Sequence, residues 1–72
     1  MQYRTEEVKI SEREQEVLKL IAHEHTINMI AKRLFISHHT VISHRKNIMS
    51  KLDVKNTAGL IRRSFELGYL SI

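Results

Sequence analysis

The stretch Thr26-Ile27-Asn28-Met29-Ile30-Ala31-Lys32-Arg33-Leu34-Phe35-Ile36-Ser37-His38-His39-Thr40-Val41 decides the fold. Thr26 is a residue type that caps a helix by accepting a hydrogen bond from a first-turn amide. Ile27, Ile30, Ala31 and Leu34 then recur at i, i+3, i+4 and i+7, the spacing of one buried helical face. A helix of about eight residues is too short to persist by itself in water, so it must pack against neighbours. Phe35-Ile36 breaks the pattern, Ser37 supplies a second cap, and a longer helix follows over about 38–52. Val41, Ile48 and Leu52 align on its inner side, with His44 close to the same line. Two helices joined by a turn this tight have the spacing of a helix-turn-helix, in which the first helix braces the second.

Working outward, Ser11-Glu12-Arg13-Glu14 fits a capping box, with the Ser hydroxyl and the Glu carboxylate each satisfying an orphan amide at a helix start. Glu12, Glu14 and Glu16 favour the positive end of that helix, and Val17, Leu18 and Ile21 form its apolar stripe, which predicts a helix over about 12–23. Asp53-Val54-Lys55 is another break, and a helix over about 57–67 follows, capped at Asn56 or Thr57 and closed by Gly68 in a left-handed C′ position. The expected fold class is all-α, a compact four-helix domain containing a helix-turn-helix. Residues 1–9 are polar without periodicity and read as a lead-in or linker end, leaving 10–72 as the domain.

Composition narrows function. A chain of 72 residues makes one domain and buries only roughly 60 % of its unfolded surface. Without cysteine, neither disulfides nor thiolate zinc sites can hold it, so apolar packing must. The longest apolar runs are far short of the ~20 residues that cross a bilayer, and the start lacks the apolar segment of a signal peptide. A cytoplasmic protein without a membrane partner is the expectation. Catalysis needs a nucleophile or paired carboxylates beside a base in a shielded pocket, and neither glycine sits in a phosphate-cradling loop, so no enzyme and no cofactor is expected. The histidines do not form a helical i, i+4 chelate; no metal site is expected either.

The net charge of +4 lies wholly in the second half: basic and acidic residues cancel over 1–36. Between Ser37 and Leu52 there are three Lys or Arg, three histidines and no carboxylate. Such a segment suits a polyanion, because each neutralised phosphate releases condensed counterions. At about 100° per residue, the outer face of the third helix carries His39, Ile42, Ser43, Lys46 and Ser50. Lys46 can donate to guanine, Ser43 can donate or accept, and Ile42 can meet a thymine methyl group, so these three are the candidate base contacts. Thr40, Asn47 and Lys51 lie along one flank of that face and His38 and Arg45 along the other, and with Ser37, His39 and Ser50 they are the candidate backbone contacts.

Ile10-Ser11-Glu12-Arg13-Glu14-Gln15-Glu16-Val17-Leu18 resembles the opening of the LuxR/GerE-type DNA-binding domain. Ile30-Ala31-Lys32-Arg33-Leu34-Phe35-Ile36-Ser37, then Thr40-Val41, His44, Asn47-Ile48, Lys51-Leu52, Val54 and Asn56 continue that pattern in order. The resemblance implies a regulator that binds double-stranded promoter DNA through its third helix, either free-standing or as the output domain of a two-component response regulator. It also implies phosphate contacts at Thr26, Thr40, Asn47 and Lys51 and a homodimer on DNA, with Gly59, Leu60, Arg63 and Leu67 of the fourth helix as the expected contact, and RNA polymerase as a further partner. The chain departs from the family in carrying Glu24 and Phe35 where glycine is usual. At a left-handed position 35, Phe would be strained by about 1–2 kcal/mol, so either an altered turn or anchoring of Phe35 by packing is expected. The competing reading is a helical protein-interaction module that presents its basic face to an acidic partner.

Overall fold

The computed structural model describes residues 9–71. Four helices follow one another: α1 (Glu12–Ala22), α2 (Ile27–Leu34), α3 (His38–Leu52) and α4 (Thr57–Glu66). Each starts where its cap residue supplies an acceptor. Ser11, Thr26, Ser37 and Asn56 all have extended backbone, and their side chains accept from the amides of Glu14, Met29, Thr40 and Gly59. The capping box at α1 is complete, since the Glu14 carboxylate also accepts from the Ser11 amide at 2.9 Å.

The helix ends differ slightly from the expected ones. α1 stops at Ala22 because Glu24 is left-handed (φ 66°). α4 stops at Glu66, and Gly68 at φ 85° takes the left-handed position expected of it. Phe35 (φ 57°) and Asp53 (φ 56°) close α2 and α3 in the same left-handed way. The expectation at Phe35 fails on both counts: the turn keeps its left-handed geometry, and the phenyl ring is not packed but 94 % exposed. The turn's backbone bonds, from Phe35 and Ile36 to the Ala31 carbonyl, hold the conformation without help from the ring.

α3 is the centre of the molecule, packed against α1, α2 and α4. Val17, Leu18, Ile30, Val41, Ile48 and Leu60 are fully enclosed, with Ile10, Leu52 and Leu70 completing the core. Each buried Leu or Ile contributes about 1.5–3 kcal/mol relative to an exposed one. The core reaches past both ends of the helical bundle. Ile10 precedes α1, and Leu70 follows α4 because the amides of Tyr69 and Leu70 donate back to the Ser64 carbonyl. Lys9, expected within the lead-in, is tied down through its carbonyl; residues 1–8 and 72 lie outside the described residues. Among the described residues no helix is long and apolar enough to cross a membrane.

Candidate nucleic-acid interface

α3 presents its outer face because its inner one is occupied. With Val41, Ile48 and Leu52 in the core, Ile42, Ser43 and Lys46 fall within an arc of about 100° on the opposite side. Lys46, His39 and Ser50 are exposed, and Ile42 and Ser43 are half-buried along the same strip. The three candidate base contacts therefore share one surface with two of the candidate backbone contacts. His44 is half-buried on the other side, as its place in the periodicity requires.

The N-terminal ends of α2 and α3 lie together. The His38 imidazole donates from Nδ1 to the Asn28 side-chain carbonyl at 2.6 Å, bridging the first turns of the two helices. Each first turn exposes amides at the positive end of a helix dipole, and neither contains an acidic residue. Ser37 and Thr40 join hydroxyls at 2.8 Å, so both caps are held in place. Between Glu24 and Asp53 no carboxylate occurs at all. Thr26, Ser37, His38 and Thr40 thus surround a region electrostatically suited to phosphate. The Asn28 bridge was not visible in the sequence, because an exposed Asn inside a helix carries no periodic signal.

Two further candidate backbone contacts are engaged within the fold. Arg45 donates from Nη2 to the Thr57 hydroxyl at 2.7 Å, reaching the start of α4. Lys51 is more tightly committed, to a partner on another helix. Its ammonium meets Glu14 Oε1 at 2.7 Å and the Lys9 carbonyl at 2.9 Å, joining the end of α3 to the start of α1. Glu14 is only 5 % exposed. Burial pushes its carboxyl pKa up, but the hydrogen bonds from Lys51 and from the Ser11 amide and hydroxyl, with the Lys51 charge, outweigh burial and hold it below its ordinary 4.5. Asn47, exposed on α3, is free of such a commitment.

The four residues of the expected dimer contact differ in how far they face outward. Leu60 is fully enclosed in the core and cannot reach another molecule. Gly59 turns toward Val54, where a Cβ would stand 3.4 Å from the Val54 Cβ, and Leu67 packs on the core. Arg63 is half-exposed and ion-paired with Glu66 at 3.3 Å. The outward side of α4 instead carries Ala58, Arg62 and Phe65, with Ile61 alongside; Phe65 is 42 % exposed.

Four capped helices with a tight left-handed turn between the second and third, and an acid-free outer face on the third, define a helix-turn-helix domain of the regulatory kind. Residues 8–64 match the family model described as bacterial regulatory proteins, luxR family, and the chain belongs to that family. It is 42 % identical over 64 residues to the uncharacterized response regulatory protein YgeK of Escherichia coli K12, covering 89 % of this chain and 44 % of that protein. To the spore germination protein GerE of Bacillus subtilis it is 36 % identical over 63 residues, covering 88 % of this chain and 85 % of GerE. The crystal structure of the response regulator ChrA, from a heme-sensing two-component system, superposes with a TM-score of 0.82 at 32 % identity, over 86 % of this chain and 31 % of that one. The chain thus spans less than half the length of YgeK and ChrA and most of GerE. Family membership brings the coarse function with it, DNA binding in transcription regulation.

Proposed function

We propose that this chain binds double-stranded promoter DNA sequence-specifically, with α3 in the major groove, as the DNA-binding part of a cytoplasmic bacterial transcription regulator of the response-regulator or GerE kind. The observation that carries the reading is the acid-free surface at which the first turns of α2 and α3 meet, beside the outward strip of Ile42, Ser43 and Lys46. Lys46 reads guanine, Ser43 a neighbouring base edge, and Ile42 a thymine methyl group. Thr26, Ser37, His38, His39, Thr40, Asn47 and Ser50 meet phosphates, and Arg45 does so from its anchored position at Thr57.

The protein acts as a homodimer on DNA, paired through the outward side of α4 around Ala58, Ile61, Arg62 and Phe65, with Arg63 at the margin. An isologous pair of this kind matches a two-fold related pair of half-sites. RNA polymerase is the downstream partner of such a regulator.

The test is the fluorescence anisotropy of a labelled promoter duplex titrated with this chain and with Lys46→Glu at two salt concentrations. Binding that weakens with salt and is abolished by the substitution supports the reading. Absence of binding by the folded chain at low salt overturns it. The protein-interaction alternative predicts that Lys46→Glu leaves function intact while α1 or α4 substitutions remove it.

A further inference from the structure

The side of α2 turned away from the core carries a feature that DNA reading by α3 does not use. Met29, Lys32 and Arg33 stand at i, i+3 and i+4 on one face of that helix, all exposed, and Phe35 follows at its end. Phe35 combines two unfavourable states. Its backbone is left-handed, a conformation strained for any residue with a Cβ, and its ring, 94 % exposed, gains nothing from the fold. Met29, 48 % exposed, adds apolar surface nearly two turns earlier. Lys32 and Arg33 meet no carboxylate among the described residues. Their position near the negative end of the α2 dipole accounts for the charges, but not for the apolar residues on either side of them.

Strain and exposure concentrated at one residue point to a role outside the folded chain. We infer that the ridge of Met29, Lys32, Arg33 and Phe35 is a docking surface for an acidic amphipathic segment of a protein partner. A duplex would satisfy Lys32 and Arg33 through its phosphates but offers an exposed phenyl ring no surface to bury against while its bases stay stacked. A segment with carboxylates flanking apolar side chains answers both parts of the ridge. Charge complementarity selects the sign of the partner, since the region from His25 to Leu52 contains no acid.

The test uses the intact chain and a fluorescein-labelled helical peptide carrying leucines along one face and glutamates on both flanks, with a second peptide in which every glutamate is glutamine. The expected result is saturable binding of the glutamate peptide, with amide chemical-shift changes concentrated at residues 29–36. Affinity should fall about tenfold with Phe35→Gly, which relieves the backbone and so keeps the fold. The Lys32→Glu/Arg33→Glu double variant, or the glutamine peptide, should lose binding. Affinity of Phe35→Gly for promoter duplex should equal that of the parent, which separates this inference from the DNA reading. The inference is overturned by absence of saturable peptide binding, by equal peptide affinity in Phe35→Gly, or by a matching loss of DNA affinity in that variant.

Discussion

Phe35→Gly should raise the thermal stability of the domain, an outcome opposite to that of most aromatic truncations. At φ 57° and ψ 43° the backbone of Phe35 is in the left-handed helical region, which is unfavourable for an L residue by about 1–2 kcal/mol and nearly free for glycine. Because the ring is 94 % exposed, its removal leaves no cavity and breaks no packing. Against this gain stands the greater freedom of glycine in the unfolded chain, about 0.4–1 kcal/mol. The net is a stabilisation of about 0.5–1 kcal/mol, and each kcal/mol moves Tm by about 4–8 °C in a domain of this size. Thermal melts followed by circular dichroism at one pH and ionic strength measure it. Phe35→Ala is the control: it removes the ring but keeps the strain, and should stay within about 0.5 kcal/mol of the parent. If Phe35→Gly melts lower than Phe35→Ala, a Cβ at this left-handed position is not the source of strain, and the reasoning is wrong.

Lys51→Met should destabilise the domain by about 1–2 kcal/mol, a figure reduced for the partial exposure of the Lys51 side chain, because it leaves the Glu14 carboxylate without its charged partner. In duplex titrations it should leave the salt dependence of binding unchanged, whereas Lys46→Ala should lower the log–log slope by about one. The Glu14 pKa, held below 4.5 in the folded state, adds stability that is complete above that pH and is lost as pH falls through the folded-state value. Melts of the parent and of Glu14→Gln should therefore converge as pH drops below 4.5; a constant difference across that window would contradict the assignment. Leu60→Ala should cost about 2–5 kcal/mol as a core deletion. Phe65→Ser should change monomer stability far less and weaken dimer formation on a two-half-site duplex in sedimentation measurements.

Helix positions were legible because the signals are local. Ser11, Thr26, Ser37 and Asn56 each sit one residue before a helix and accept from its first turn, and the apolar spacing between caps is unambiguous in α2 and α3. The outward strip on α3 followed from the same periodicity, since burying Val41 and Ile48 leaves Ile42, Ser43 and Lys46 no other side. What escaped the sequence is long-range or conformational. Lys51 and Glu14 are far apart in the chain, and nothing in either residue announces the other. The same holds for Asn28 and His38 across the turn. On α4, apolar residues occur on both the inward and outward sides, so the sequence alone does not separate the enclosed Leu60 from the exposed Phe65. At Phe35 the preference of the residue pointed to a different turn, and the surrounding hydrogen bonds overrode it.

Gln15 occupies an unusual place in the molecule's topology. Its side-chain amide donates to the Ile10 carbonyl at 3.0 Å, while the same residue, with Lys19 and His23, lines a groove completed by Gly68, Tyr69, Leu70 and Ser71. The path into the bundle and the path out of it therefore pass the same side of α1, away from the turn between α2 and α3. A module whose entry and exit adjoin can be spliced into a loop of another protein, or closed with a short linker and reopened at the exposed Lys55-Asn56 bend, without rerouting its core. Circular permutants opened at that bend should fold and keep the α3 strip intact, making the domain a transplantable part.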